Sequence, residues 1–276
     1  MAETLQDKGK RLQKMRDYKL DVDKYIIAHI DGRSFSRMVK NKFEKPFDGV
    51  FIKAMNDTAS YLCENVQGAK IAYVQSDEIS LLIKKDTPEG DVFFGGRMCK
   101  MQSIIAALAT SKFNQIMMAN GLKNLSDGVD KDYVIDHIMK SPLYQFDCKV
   151  WDVDTANDAF AWFLFRNIDC ARNSKQQAAQ TYIPHKELLN KETDEQIKML
   201  KDRFGIDWNE YSAGEKYGRI VSKEMVNCQR VIEDPNTKEM TVVEYYRSVW
   251  VAHPGVNLTD EEQRNNFINK YSFFKD

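Results

Sequence analysis

Ala69-Lys-Ile-Ala-Tyr-Val-Gln75, Ser76-Asp-Glu78 and Ile79-Ser-Leu-Leu-Ile-Lys84 follow one another without a break. The outer two are apolar, β-branched runs of strand length, and three polar residues between them leave room only for a hairpin, although no Asn-Gly marks it. Upstream, Phe51, Met55, Ala59, Leu62 and Val66 recur at helical intervals over residues 47–66, and the pattern stops at Gly68. Before that helix, Tyr25-Ile-Ile-Ala-His-Ile-Asp31-Gly32 reads as a strand ending on an acid and a glycine. Downstream, Thr87-Pro-Glu-Gly90 breaks the chain ahead of a Met- and Ala-rich helical pattern over 97–119. A polar loop over 121–128 and a strand over 146–153 complete the series. The order β-α-β-β-α-β is the ferredoxin-like, split-βαβ unit of the α+β class.

Outward from this unit the pattern is sparser. Residues 5–19 read as a charged surface helix. Residues 156–179 and 194–204 read as helices, and 229–233 with 240–246 as a hairpin across Asp234-Pro-Asn-Thr-Lys238. The second half is expected to pack on the first as a C-terminal α/β extension. The 40 Lys and Arg nearly cancel the 41 Asp and Glu, which excludes a bulk-basic nucleic-acid binder but not a local basic patch. Five scattered cysteines without a CxxC spacing fit neither a disulfide framework nor a structural zinc site. The charged amino terminus and the lack of a long apolar run predict a cytoplasmic protein with no membrane segment.

The topology makes a geometric prediction. In a split-βαβ sheet the first two strands are parallel and the third lies antiparallel between them. The end of the first strand and the turn between the second and third then share one sheet edge, which brings Asp31 to Asp77 and Glu78. Alternation sets Tyr25, Ile27, His29 and Asp31 on one face, with Ile71, Tyr73, Gln75 and Asp77 on the same side. Both helices are expected to cover the opposite face, leaving this one open to a substrate. Converging carboxylates without cationic partners repel, raising a pKa or recruiting a hard cation such as Mg²⁺. Either motif alone is more often an ordinary turn; their meeting at one edge favours a site.

Other features weigh less. Gly90 and Gly95-Gly96 match no phosphate-loop spacing. Arg33, Arg37, Lys40, Lys42 and Lys45 form a basic stretch that suits either a solvated loop or phosphate contact. Arg97 and Lys100 open a helix where cations oppose the dipole and an anion would compensate. His29 is read as a strand residue without a catalytic role.

Three motifs in order, His29-Ile-Asp-Gly-Arg-Ser-Phe35, Lys45-Pro46 and Ala72-Tyr-Val-Gln-Ser-Asp-Glu78, closely resemble the tRNA-His guanylyltransferase family. The likeness is clear over residues 24–114 and thins towards 174. It implies a polymerase-like palm over residues 1–153, with 154–276 as the extension. It also implies nucleotide addition to the 5′ end of tRNA in the 3′-to-5′ direction, with ATP, GTP and other nucleoside triphosphates as substrates. Carried over by position, Asp31, Asp77 and the Gly32 carbonyl would hold two Mg²⁺ ions, and Glu78 joins their acidic cluster. Asp31, Gly32, Arg33, Ser34, Phe35, Ser36, Ser76 and Asp77 fall on nucleotide-contact segments. Lys45, Arg97 and Lys100 fall on positions for triphosphate and 5′-end handling at the acceptor stem. The resemblance implies a homotetramer.

One departure bears on the reaction. Eukaryotic members carry His-Ile-Asn-Asn-Leu-Tyr-Asn after Ala-Asp-Cys, whereas Ile168-Asp-Cys170 here precedes Ala171-Arg-Asn-Ser-Lys175, keeping only Cys170 and Asn173 in step. That favours the guanylyltransferase-like branch, which resembles a template-dependent repair polymerase for 5′-truncated tRNA. The alternatives are a dedicated enzyme adding a single 5′ G, a palm-fold nucleotide cyclase, and a non-catalytic RNA-binding protein.

Overall fold

The protein is described by a computed structural model covering residues 3–14, 18–38, 42–123, 130–233, 235, 238 and 240–275. Along the chain run α1 (Leu5–Lys14), β1 (Tyr25–Gly32), α2 (Phe35–Met38), α3 (Gly49–Asn65), β2 (Ala69–Gln75), β3 (Glu78–Ile83) and α4 (Met98–Lys123). Then follow α5 (Lys131–Lys140), β4 (Phe146–Val153), α6 (Ala156–Tyr182), α7 (His185–Leu188), α8 (Thr193–Phe204), α9 (Ala213–Tyr217), β5 (Arg219–Glu233), β6 (Met240–Pro254) and α10 (Glu261–Lys270). The expected helix over 5–19 ends at Lys14, and its residues 15–17 lie outside the described ones, as does most of the loop over 121–128.

The sheet has six strands in the order β4-β1-β3-β2-β5-β6. β3 lies antiparallel between β1 and β2, so the ferredoxin-like order holds. The first face is buried by α3 and α4: Ile26, Ala28 and Ile30 of β1 pack with Met55, Leu62, Met101, Ile105 and Phe113. Asp48 caps α3, its side chain accepting from the Phe51 N–H at 2.8 Å.

The second face differs from the expectation. It is not open: Tyr25, Ile27, Ile71, Tyr73 and Leu82 are buried under Phe160 and Phe163 of α6 and Phe267, Tyr271 and Phe274 near the chain's end. Five aromatic and branched aliphatic side chains on that face need such a cover, since exposing them would forfeit about 1.5–3 kcal/mol each. Among the described residues the end of the sheet beyond these side chains stays accessible, where Asp31 is half-buried. The hairpin expected over 229–246 is much longer. β5 joins the sheet through Arg219, Ile220 and Val221 opposite Val74, Tyr73 and Ala72, and the rest of β5 and β6 pair with each other alone. No helix among the described residues is long and apolar enough to cross a membrane.

Candidate active site

β1 ends on Asp31-Gly32, and Ser76-Asp77 alone separate β2 from β3, so the sheet order sets both at one sheet end. Asp31 stands opposite Glu78 on one neighbour and opposite Asp147 of β4 on the other. Asp147 was missed in the sequence. The signal was present, because an antiparallel β4 must begin where β1 ends.

The two expected acids are electrostatically uncomfortable. Burial pushes the Asp31 carboxyl above its ordinary value, and the charges of Glu78 and Asp147 add to it. Burial pushes Asp77 up to about 6, with smaller help from Asp31 and Glu78, against hydrogen bonds from its own N–H and the Ser76 hydroxyl. Among the described residues neither acid has a Lys or Arg in ion-pair contact, and Lys149 lowers Asp31 only as its smallest influence. Glu78 departs from the expected picture of an unpaired cluster. It accepts from Gln75 Nε2 at 2.6 Å and is ion-paired with Arg166 of α6. Arg166 also reaches Asp169 at 2.8 Å, and Asp169 in turn accepts from Arg172 and Asn173.

The backbone explains how the acids come so close. A Cβ on Gly32 would stand 2.7 Å from Asp77 Oδ2 and 2.5 Å from Phe35 Cδ2, so only glycine lets the carboxylate close over the end of β1. Phe35 is buried, its ring 5.6 Å from that of Phe113 and 5.0 Å from that of Phe146, which anchors the loop after β1. Ser34 and Ser76 sit in the left-handed region at φ 57 and 43, a strain of about 1–2 kcal/mol each for a non-glycine residue. Strained residues on both loops beside two acids fit a functional site. His29 sits deeper, its Nδ1 3.1 Å from Ser80 Oγ, which also accepts from Trp162 Nε1 at 3.1 Å. Burial lowers its pKa, as in a structural histidine.

Two clefts meet at the Ser76-Asp77 turn. The acid cleft, about 410 Å³, is lined by Asp31, Gly32, Ser34, Phe35, Lys45 and Asp77 among others. The neighbouring cleft, about 330 Å³, shares Pro46, Asp48, Phe51, Ser76, Asp77 and Gln177 with it, and Cys170, Asn173 and Ser174 of α6 belong to its wall. The other expected residues lie elsewhere. Arg33 is exposed and donates to Gln145 Oε1 at 3.1 Å, on the side of Asp147. Ser36 lies in α2, with its side chain outside the described residues, as is Lys40 altogether. Arg97 and Lys100 are not brought to the acids. Arg97 bridges Lys19, ahead of β1, and precedes Phe113 by about 24 Å along α4. They occupy the opposite end of the sheet because α4 runs its full length.

The donor set limits the metal. Among the described residues no three His, Cys, Asp or Glu side chains cluster to cage an ion. Two carboxylates suit a hard cation whose remaining ligands are water and substrate phosphate, the habit of Mg²⁺, and do not make a structural zinc site.

Comparison with known proteins adds identity to this geometry. A family model described as tRNAHis guanylyltransferase (Thg1) matches residues 7–154, the stretch that holds Asp31, Lys45 and Asp77. A probable tRNA(His) guanylyltransferase of Dictyostelium discoideum is 27% identical over 250 residues, covering 84% of this chain and 90% of that one. A solved bacterial tRNA(His) guanylyltransferase (Thg1)-like protein in complex with ATP is 27% identical, with a TM-score of 0.77 over 98% of this chain and 99% of that one. The tRNA(His) guanylyltransferase of Saccharomyces cerevisiae shares the fold, with a TM-score of 0.62 at 21% identity over 78% of this chain and 92% of that one.

Proposed function

This chain belongs to the tRNAHis guanylyltransferase family and is a nucleotidyltransferase; within that family we propose that it extends the 5′ ends of truncated tRNAs by copying the opposite strand. ATP or GTP activates a 5′-monophosphate, and the 3′-hydroxyl of an incoming nucleoside triphosphate then attacks the activated end. The observation that carries the nucleotidyl-transfer part of this reading is the meeting of Asp31 and Asp77 over Gly32, with both carboxyls raised.

Asp31, Asp77 and the Gly32 carbonyl would hold two Mg²⁺ ions, which when bound stabilise the attacking and leaving oxygens of phosphoryl transfer. Both acids must be ionised to do so. Lys45, exposed on the rim of the acid cleft, supplies positive charge for the triphosphate. Glu78, already paired with Arg166, steadies the turn that carries Asp77. Arg97 and Lys100 would act on tRNA beyond the nucleotide, either along its acceptor stem or at a neighbouring copy in the homotetramer that the resemblance implies.

Template dependence rests on Ala171 to Lys175. Placing a G without a pairing partner needs a protein contact in place of base pairing, and this segment lacks the histidine and second asparagine of the eukaryotic stretch. The test uses 5′-truncated tRNAs that differ only at the template base. Addition of the complementary nucleotide, whether G, C, A or U, should be fastest in each. A preference for G opposite every base would restore the dedicated single-G enzyme, the activity that the family's own description favours.

A further inference from the structure

Beside Asp31, towards β4, the second face of the sheet carries a strip of rings that belongs to neither cleft. Both clefts are walled by the segment ahead of α3 and by the Ser76-Asp77 turn, and Trp151, Trp162 and Phe165 line neither. Antiparallel pairing sets Asp147 opposite Asp31, Lys149 opposite His29 and Trp151 opposite Ile27, so these β4 side chains share the face that α6 covers. The Trp151 ring lies 4.8 Å from that of Trp162, and the Trp162 ring 5.7 Å from that of Phe165. Phe165 stands 5.0 Å from the guanidinium of Arg166, which is ion-paired with Glu78. One side chain thus separates the strip from the acids.

The strip is open where a core would be closed. Trp162, Phe165, Ile168 and Arg172 follow one another at three, three and four residues, one stripe of α6. Trp162 is held, its Nε1 donating to Ser80 Oγ at 3.1 Å. Phe165 and Ile168 remain 52% and 48% exposed, although the same helix buries Phe160 and Phe163 in the core. Cations accompany the rings. Lys149 is exposed and forms no ion pair among the described residues, and Arg172 is exposed against Asp169. Asp147 is the acid of the strip, at its end beside Asp31. Two uncovered apolar side chains fall well short of the roughly 800 Å² a side that a stable protein interface buries. Rings set among cations suit a single strand of nucleic acid, whose bases stack and whose phosphates are answered.

We propose that Phe165, backed by Trp162 and Trp151, is the stacking platform for the unpaired 3′ strand of the RNA whose 5′ end reacts at Asp31 and Asp77. The proposal rests on the nucleotidyltransferase reading and adds where the opposite strand lies. A 5′-truncated stem leaves that strand unpaired beyond the last base pair, so its free nucleotides begin at the reacting end. Lys149 and Arg172 meet their phosphates. Stacking tolerates every base, so the platform holds the strand without reading it.

Equilibrium binding without nucleoside triphosphate tests this. Two RNA stem-loops with a 5′-monophosphate, one with a four-nucleotide unpaired 3′ tail and one blunt, are titrated into the wild-type chain and its variants. The wild type should bind the tailed stem more tightly than the blunt one by on the order of tenfold. Phe165→Ala should bind both stems alike, at the affinity of the blunt one, and Phe165→Tyr should restore the difference. Lys149→Ala, at an exposed strand position, should lose a smaller part on the tailed stem and covers the case in which Phe165→Ala folds poorly. Equal wild-type affinity for the two stems, or an equal loss on both in Phe165→Ala, overturns the platform and leaves the enzyme reading standing. So does a Phe165→Ala chain that binds both RNAs as before but sediments differently, which gives the rings to a second copy. A wild type that binds neither ATP nor RNA overturns both.

Discussion

Asp77 titrates at about 6, so at neutral pH the folded chain holds a charge that the unfolded chain carries more easily. Between the ordinary aspartate value and about 6 the native state binds the extra proton. Stability from this group is therefore greatest on the acid side of that window and falls as pH rises through it, the reverse of a salt-bridged aspartate. The amount is on the order of 3 kcal/mol at most. Asp31 is shifted in the same direction. Asp77→Asn should accordingly raise the thermal midpoint at neutral pH in a chelator, while cutting nucleotide addition by on the order of 10³-fold or more. A lower midpoint would refute the strain assigned to this carboxylate, and retained activity would refute its role. A second pair of substitutions separates the two ends of the sheet. Lys45→Ala should weaken binding of free ATP, whereas Arg97→Ala should leave it intact and reduce only tRNA-dependent steps. Equal losses of ATP affinity in a binding titration would put Arg97 at the acid cleft after all.

Among the elements, α6 does most to shape the site, and it was the least legible. Its span was readable from residues 156–179, yet nothing in its pattern says which face of the sheet it covers, because no strand follows it directly. The split-βαβ order was legible because each strand or helix in it has its own period and a glycine or proline break. That order alone brought Asp31 to Asp77. The long arms of β5 and β6 were read as short strands for a different reason. From Lys223 to Arg230 the strand alternates only between exposed and half-buried positions, and the half-buried ones begin with Glu224, so no apolar alternation against a core exists to be read. Arg166 is the hinge-pin of α6: it is buried and answers both Glu78 and Asp169. Replacing it by methionine should destabilise the chain by about 3–5 kcal/mol, because Glu78 is left in low dielectric without a cation and Asp169 keeps only Arg172. Adding Glu78→Gln and Asp169→Asn to that variant should recover a substantial part in urea denaturation. No recovery would mean that Arg166 acts through packing on Trp162 and Phe165, not through charge.

For the molecule as a whole, the interposed third strand has a kinetic consequence. Asp31 and Asp77 belong to segments that are separate until β3 seats itself between β1 and β2. The burial of Asp77, with a smaller repulsion from Asp31, is absent from the unfolded chain and is met with the long-range closure that creates the sheet. The catalytic requirement thus lies across the folding path as a toll on strand insertion. Refolding of the isolated chain should quicken as pH falls through about 6. Asp77→Asn should refold faster than wild type at neutral pH and lose that dependence, as followed by stopped-flow fluorescence. Identical refolding rates, with the difference confined to unfolding, would place the meeting of the acids after the barrier. On this account the joint at which β3 is seated is also the reaction centre, and a divalent ion in the surrounding solution would ease both its closure and its chemistry.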